Sequence, residues 1–252
     1  MKIGVLMRTV PDLVEEIEIV DDNEIEPFAY IGNERDEHAV EEAVILKERY
    51  GGTVEVVGIA DEDSEDEIDE PLGAAMAKGA DNAVKVMMSD KTFLKMEYAK
   101  ALVDFLQERE YDLLLTGIQS VDAFTGMLGP LLSVYLDRPF TGYVTKVEVE
   151  GPGLKIQKEL GGGLLGDFTV KLPATLGIVS AERPLTFVPL TKLRKVMKKA
   201  EIEEVELEVP EVEGTEVVKF YEPEKPEIEL LEGEPEEVAD KLVELFKEIE
   251  VV

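Results

Sequence analysis

The chain has 252 residues, enough to bury a sizeable core in one domain with an appendage. Its formal net charge of −31 argues against nucleic acid and anionic membrane surfaces as partners, and it favours solubility or a basic protein partner. Cysteine is absent, which excludes dithiol redox chemistry, disulfides and thiolate metal sites.

The N-terminus, MKIGVLMRTVPD, reads as a buried strand over Lys2 to Leu6 broken at Val10-Pro11-Asp12, not as a signal peptide. Glu15 to Glu26 alternates apolar and acidic residues about a turn at Asp21-Asp22-Asn23, the pattern of an exposed hairpin. Asn33 to Tyr50 predicts a helix. Asn33 is its N-cap, Glu34, Asp36 and Glu37 suit the dipole of the first turn, and Val40, Ala43, Val44 and Lys47 share one face. Gly51-Gly52 stops it. His38, the only histidine, has no second ligand near it in sequence and reads as a surface or core residue.

Val54 to Ala60 is a second buried strand. The acidic run Asp61 to Glu70 reads as a solvated loop or helix start, with the helix delayed to Pro71 and ending before Gly79. A strand at Ala83 to Met88 and a helix at Thr92 to Glu108 follow. Strands and helices in this alternation predict an α/β fold with a parallel sheet covered on both faces.

Tyr111 to Pro130, YDLLLTGIQSVDAFTGMLGP, is the stretch on which a site is expected. Leu113-Leu114-Leu115 reads as a strand ending at Gly117, a polar loop follows, and a helix starts near Gly126. A strand, a small-residue loop and a helix N-terminus bind phosphate through unpaired backbone N–H groups, for which Gly126 and Gly129 leave room. The same stretch reads equally as an ordinary βα loop. It is neither a GxGxxG motif nor a P-loop.

Beyond Pro139 the pattern changes. Thr141 to Glu150 and Leu154 to Leu160 flank Gly151-Pro152-Gly153 as a hairpin, and Ala174 to Val179 is a further apolar strand. Lys192 to Lys199, KLRKVMKK, carries five basic residues and no acidic one. From Glu201 onward twenty acidic residues face four basic ones, with four prolines, and an amphipathic helix closes the chain from Pro235 to Ile249 through Val238, Leu242, Leu245 and Phe246. The division expected is an α/β domain over residues 1–190 and a basic segment with a C-terminal arm over residues 191–252.

GIQSVDAFTGMLGP resembles the adenine-nucleotide loop of electron transfer flavoprotein β subunits, which reads Gly-x-Gln-(Ala/Ser)-x-Asp and then Gln-(Thr/Val)-Gly. Gly117, Gln119, Ser120, Asp122 and Gly129 match, while Met127 and Leu128 depart from it. NERDEHAVEEAVILKE, MAKGAD and Lys171-Leu172-Pro173-Ala174 are similar to further family motifs in the same order, and Arg8 takes the basic position of a Lys-x-Val-Pro-Asp motif. KELGGGLLGDFTVKLPA keeps the family's glycines but loses an acidic pair.

The resemblance implies a Rossmann-like parallel sheet of the adenine nucleotide alpha hydrolase-like kind, with a β-hairpin extension and an extended C-terminal arm. It implies an electron carrier subunit with no catalytic residue of its own, paired with an α subunit that carries or shares FAD. It places AMP or a second FAD against Leu6, Asn33, Glu34, Arg35, Asp36, Asp61, Gly117, Gln119, Ser120, Asp122, Thr125, Gly126, Leu128 and Gly129. Asp122 would accept bonds from loop N–H groups or from a ribose hydroxyl. Asp36-Glu37 and Gly129-Pro130 look more like the branch that holds a second FAD and bifurcates electrons from NADH. Leu190, Lys195 and Lys198 would dock dehydrogenase and quinone-reductase partners in the cytoplasm, without membrane insertion. The alternative is an adenylate-binding stress-type protein or ATP-using enzyme on the same architecture, or a structural partner of a flavoenzyme with an empty site of its own.

Overall fold

Strand β1 (Lys2–Pro11) alternates side chains between two layers: Ile3, Val5 and Met7 enter one apolar cluster and Leu6 the other. A strand buried on both faces needs cover on both sides, and the elements that follow supply it. The computed structural model describes residues 1–22, 24–89, 98–210, 218–224 and 230–249.

The strand continues past Val10, where a break was expected, because β4 (Tyr30–Gly32) pairs antiparallel with Thr9 to Pro11. Pro11 lacks a donor but tolerates the last position of a strand. Between them β2 (Ile17–Asp21) and β3 (Glu24–Pro27) form the separate two-stranded hairpin that the alternation predicts. Helix α1 (Glu34–Tyr50) returns the chain to β5 (Thr53–Ala60), and α2 (Asp69–Lys78) leads to β6 (Asn82–Met88). Helix α2 begins two residues before Pro71, which the first turn accepts because its missing N–H has no partner there. Helix α3 (Tyr98–Arg109) precedes β7 (Leu113–Gly117); the expected start at Thr92, and Met96 with it, lies outside the described residues.

Helices α1 and α2 cover one face, with Ala39, Val40, Ala43, Leu46, Leu72 and Ala75 in the first cluster. Helix α3 and α4 (Leu128–Tyr135) cover the other, through Leu102, Phe105, Leu106 and Leu132. Strands β8 (Phe140–Glu150), β9 (Gly153–Gly161) and β10 (Leu164–Lys171) form an antiparallel extension, and β11 (Ala174–Ile178) then inserts parallel between β7 and β8.

The sheet among the described residues runs β10-β9-β8-β11-β7-β1-β5-β6-β12, where β12 (Glu203–Leu207) lies parallel to β6. It is a mostly parallel, Rossmann-like α/β arrangement. The chain builds outward from β1 through β5 to β6 and then returns to β7 on the other side of β1. That reversal is a topological switch point, which opens a crevice at the carboxyl ends of β1 and β7.

Residues beyond 190 do not leave the sheet at once. Helix α5 (Leu190–Met197) packs on α2, and β12 extends the sheet edge. Residues 1–219 form one unit and residues 220–252 a second, so the expected division at residue 191 falls inside the first. In the second unit α6 (Pro235–Glu248) has proline in its first turn, and Leu245, Phe246 and the following Ile249 are exposed. Among the described residues no helix is long and apolar enough to cross a membrane.

Candidate functional site

The crevice at the switch point is lined by Arg8, Asn33, Asp36, Tyr98 and the segment from Gly117 to Leu128. Strand β7 ends in the crevice at Gly117, where an added Cβ would stand 2.4 Å from Asp36 Oδ1. That contact leaves no room for a side chain. The loop then turns through Phe124 and Gly126, both at positive φ, before α4 begins at Leu128. The helix therefore starts two residues later than Gly126, and Gly126 supplies the left-handed backbone that precedes it.

Asp36, in the first turn of α1, is the joint between β1 and β7. Its Oδ2 accepts the N–H of Arg8 and its Oδ1 the N–H of Gly117, each at 3.0 Å. Burial pushes its carboxyl up to about 6, against the opposing effects of Asn33, Arg8 and the Gly117 N–H. Asn33 occupies the N-cap position, but its side chain does not cap. Its backbone N–H donates to Arg8 O at 2.9 Å and its Nδ2 to Gln119 O at 3.2 Å, which ties the loop to both β1 and α1. Asn33 is 1% exposed, and among the described residues nothing donates to its Oδ1. A buried acceptor in a crevice without a donor is costly unless a ligand supplies one.

Arg8 closes the floor. Its guanidinium pairs with the Asp122 carboxylate, and the nearby Tyr98 hydroxyl favours its charge. Burial alone would lower its pKa; Tyr98, Asp122 and Asp36 overcome that and hold it above the usual value. The other Asp122 oxygen accepts the Ala123 N–H at 2.8 Å. Of the two roles expected of Asp122, the structure shows bonding within the protein, with Arg8 added.

Asn33, Asp36, Gly117, Gln119, Ser120, Thr125, Gly126 and Leu128 thus come together at the crevice, with Asp122 tied to its floor. Other expected residues point elsewhere. The Leu6 side chain is in the core. Asp61 follows β5 with its carboxylate turned onto Ser64 Oγ at 2.8 Å, so the acidic run is not wholly solvated. Arg35 donates to Val179 O at 2.7 Å, and Glu34 is exposed beside His38. Gly129 is required by packing rather than by ligand approach: a Cβ there would stand 2.7 Å from the Phe140 ring. At Gly126, likewise, a Cβ would stand 3.0 Å from Ile118 O. Tyr98 was not anticipated as a site residue. The signal for Arg8 was a charged residue within the run from Ile3 to Val10, which is buried throughout.

The segment that leads into the basic stretch, from Glu182 to Thr186, is tied to α1 by two carboxylates. Buried Glu41 accepts Arg183 Nε at 2.6 Å, Thr186 Oγ1 at 2.7 Å and Thr186 N–H at 3.0 Å. Glu42 accepts the N–H groups of Val147 and Glu182, each at 3.1 Å, and burial pushes it up to about 7. Gly73 lets Met197 and Leu193 pack on α2, since a Cβ there would meet Met197 Sδ at 2.2 Å. Leu190, Lys195 and Lys198 are left exposed. His38 is structural: its Nδ1 accepts the Ala181 N–H at 3.2 Å.

Residues 29–210 match the model of the electron transfer flavoprotein domain. The chain belongs to the electron transfer flavoprotein β-subunit family. It is 31% identical to an electron transfer flavoprotein subunit beta of Bacillus subtilis, over 98% of each chain. A Methylophilus methylotrophus subunit beta is 29% identical over 98% of each, and the human one 30% identical over 64% of this chain and 62% of its own. The matched residues take in the crevice lining from Asn33 through Leu128 and the strands from β4 to β12, while β1 with Arg8 lies before the matched span.

Proposed function

We propose that this chain acts as the β subunit of a heterodimeric electron transfer flavoprotein and holds an adenine nucleotide in the crevice between β1 and β7. The observation that carries the reading is Asn33 Oδ1, a buried acceptor without a donor among the described residues. An adenine amine or a ribose hydroxyl supplies a donor; phosphate oxygens do not. Asn33 therefore holds the nucleoside, while the amides at the start of α4, which no side chain caps, receive the phosphates. The residues fit an adenylate, whether AMP or the adenosine half of a second FAD.

FAD supplies the redox chemistry, shared with or held by the α subunit. This chain's residues bind, orient and dock. Electrons pass from dehydrogenases to a quinone reductase or another acceptor in the cytoplasm, and a second FAD would suit NADH-dependent bifurcation. Leu190 on α5 is the apolar anchor for those partners, with Lys195 and Lys198 exposed on the same segment and α5 seated on α2 through Leu193 and Met197. The exposed apolar side chains of α6 embrace the α subunit. Denaturing the complex purified with its co-expressed α subunit should release adenine nucleotide stoichiometric with this chain, and chromatography separates AMP from FAD. A visible spectrum before denaturation counts the flavins. A complex that releases neither nucleotide from the β site overturns the reading.

A further inference from the structure

We propose that Arg8 is a positioning residue that sets the shape of the loop from Gly117 to Leu128 before any ligand arrives, by holding Asp122. The inference rests on the crevice reading above, but concerns the protein's own residues. Three elements meet at the crevice floor: β1 carries the guanidinium, the loop presents Asp122 to it, and Tyr98 of α3 lines the same crevice beside it. The Arg8 and Asp122 side chains are 4% and 13% exposed, so solvent barely screens the pair.

The backbone of the same arginine is fixed independently. Its N–H is held by Asp36, which also holds Gly117, and its carbonyl accepts the Asn33 N–H. The loop entrance is therefore anchored through Asp36 and its midpoint through Arg8, both referred to one residue of a central strand. Between these anchors lie Gln119 and Ser120, whose orientation the ligand would read. Asp122 cannot face a phosphate comfortably, and its engagement by Arg8 and by the Ala123 N–H keeps that charge compensated.

Buried ion pairs add little net stability compared with a neutral pair of similar shape, although removing one partner is costly. That asymmetry separates positioning from mere support. In the full chain, Arg8→Met alone should lower the melting temperature by about 5–10 °C, by leaving Asp122 unpaired. Arg8→Met combined with Asp122→Asn should melt within about 2 °C of the wild type. The double variant should still exchange its amide hydrogens over residues 118–126 at least about tenfold faster without nucleotide, and bind AMP at least about tenfold more weakly by calorimetry. Arg8→Lys, which keeps the charge without the planar fork, should fall between. Tyr98→Phe serves if the double variant does not fold: with packing kept and the hydroxyl beside the guanidinium lost, the loop should exchange about threefold faster. Wild-type exchange rates in the double variant, or in Tyr98→Phe where that variant stands in, overturn the proposal, as does double-variant AMP affinity within twofold of the wild type. If the wild type binds neither AMP nor FAD while the exchange difference stands, the nucleotide reading fails and the positioning role holds.

Discussion

Asp36→Asn tests whether the joint between β1 and β7 is a buried, strained charge. Asp36 is 8% exposed, and its carboxyl accepts two backbone N–H groups at 3.0 Å. Its value in the folded chain is about 6, against 3.8 for an ordinary aspartate. The shift is upward, so the folded state holds a proton that the unfolded chain has already lost between those two values. Stability from this group is therefore fully present below 3.8 and is lost as pH rises through about 6. The full difference of about 2 units corresponds to about 3 kcal/mol.

At pH 8 both states are ionised and the contribution vanishes. At pH 5 the folded state is mostly protonated and the unfolded state is not, which is worth about 1.4 kcal/mol. Asparagine cannot titrate. It also turns an amide donor toward one of the two N–H groups, which costs about 1–3 kcal/mol at every pH. Relief of the buried charge offsets much of that cost at pH 8 and disappears at pH 5. Urea unfolding of wild type and variant from pH 5 to pH 8 separates the two effects. The variant's deficit should be about 1.4 kcal/mol larger at pH 5 than at pH 8. Glu42, also raised, titrates in both proteins and cancels. A deficit constant to within about 0.5 kcal/mol across that range would refute the argument.

Gly126→Val should cost at least about 1–2 kcal/mol from left-handed backbone alone and lower nucleotide occupancy, whereas Gly126→Asn should keep most of it; a folded valine variant with a full complement of AMP or FAD puts the site elsewhere. Deletion after Lys219 should leave the α/β unit folded and abolish α-subunit pairing by gel filtration, whereas deletion after Glu201 should destabilise the sheet by removing β12; unchanged pairing after the first deletion removes α6 from the interface. Reversing the charges of Lys195 and Lys198 should slow reduction by an acidic partner about tenfold at low salt and flatten the salt dependence. Equal rates at low and high salt in both proteins leave α5 without an electrostatic role.

Local pattern determined the elements. Apolar runs at β5 and β7, the 3.6-residue stripe of α1 and the glycines that end them each carry their signal within a dozen residues, because side-chain period and backbone permissiveness are local properties. The loop from Gly117 to Leu128 was legible for the same reason, since strand end, small residues and helix start are consecutive. What only the tertiary structure decided lies far apart in sequence. Strand β11 enters between β7 and β8, and β12 reaches the far edge beside β6, although nothing in their own composition names a neighbour. Arg8 meets Asp122 across 114 positions, and Glu41 meets Thr186 across 145. A charged residue in an apolar stretch announces that it needs a partner, because burying it alone is prohibitive. Which partner it finds depends on how the strands order themselves, and that order is set by packing two layers of helices on one twisted sheet.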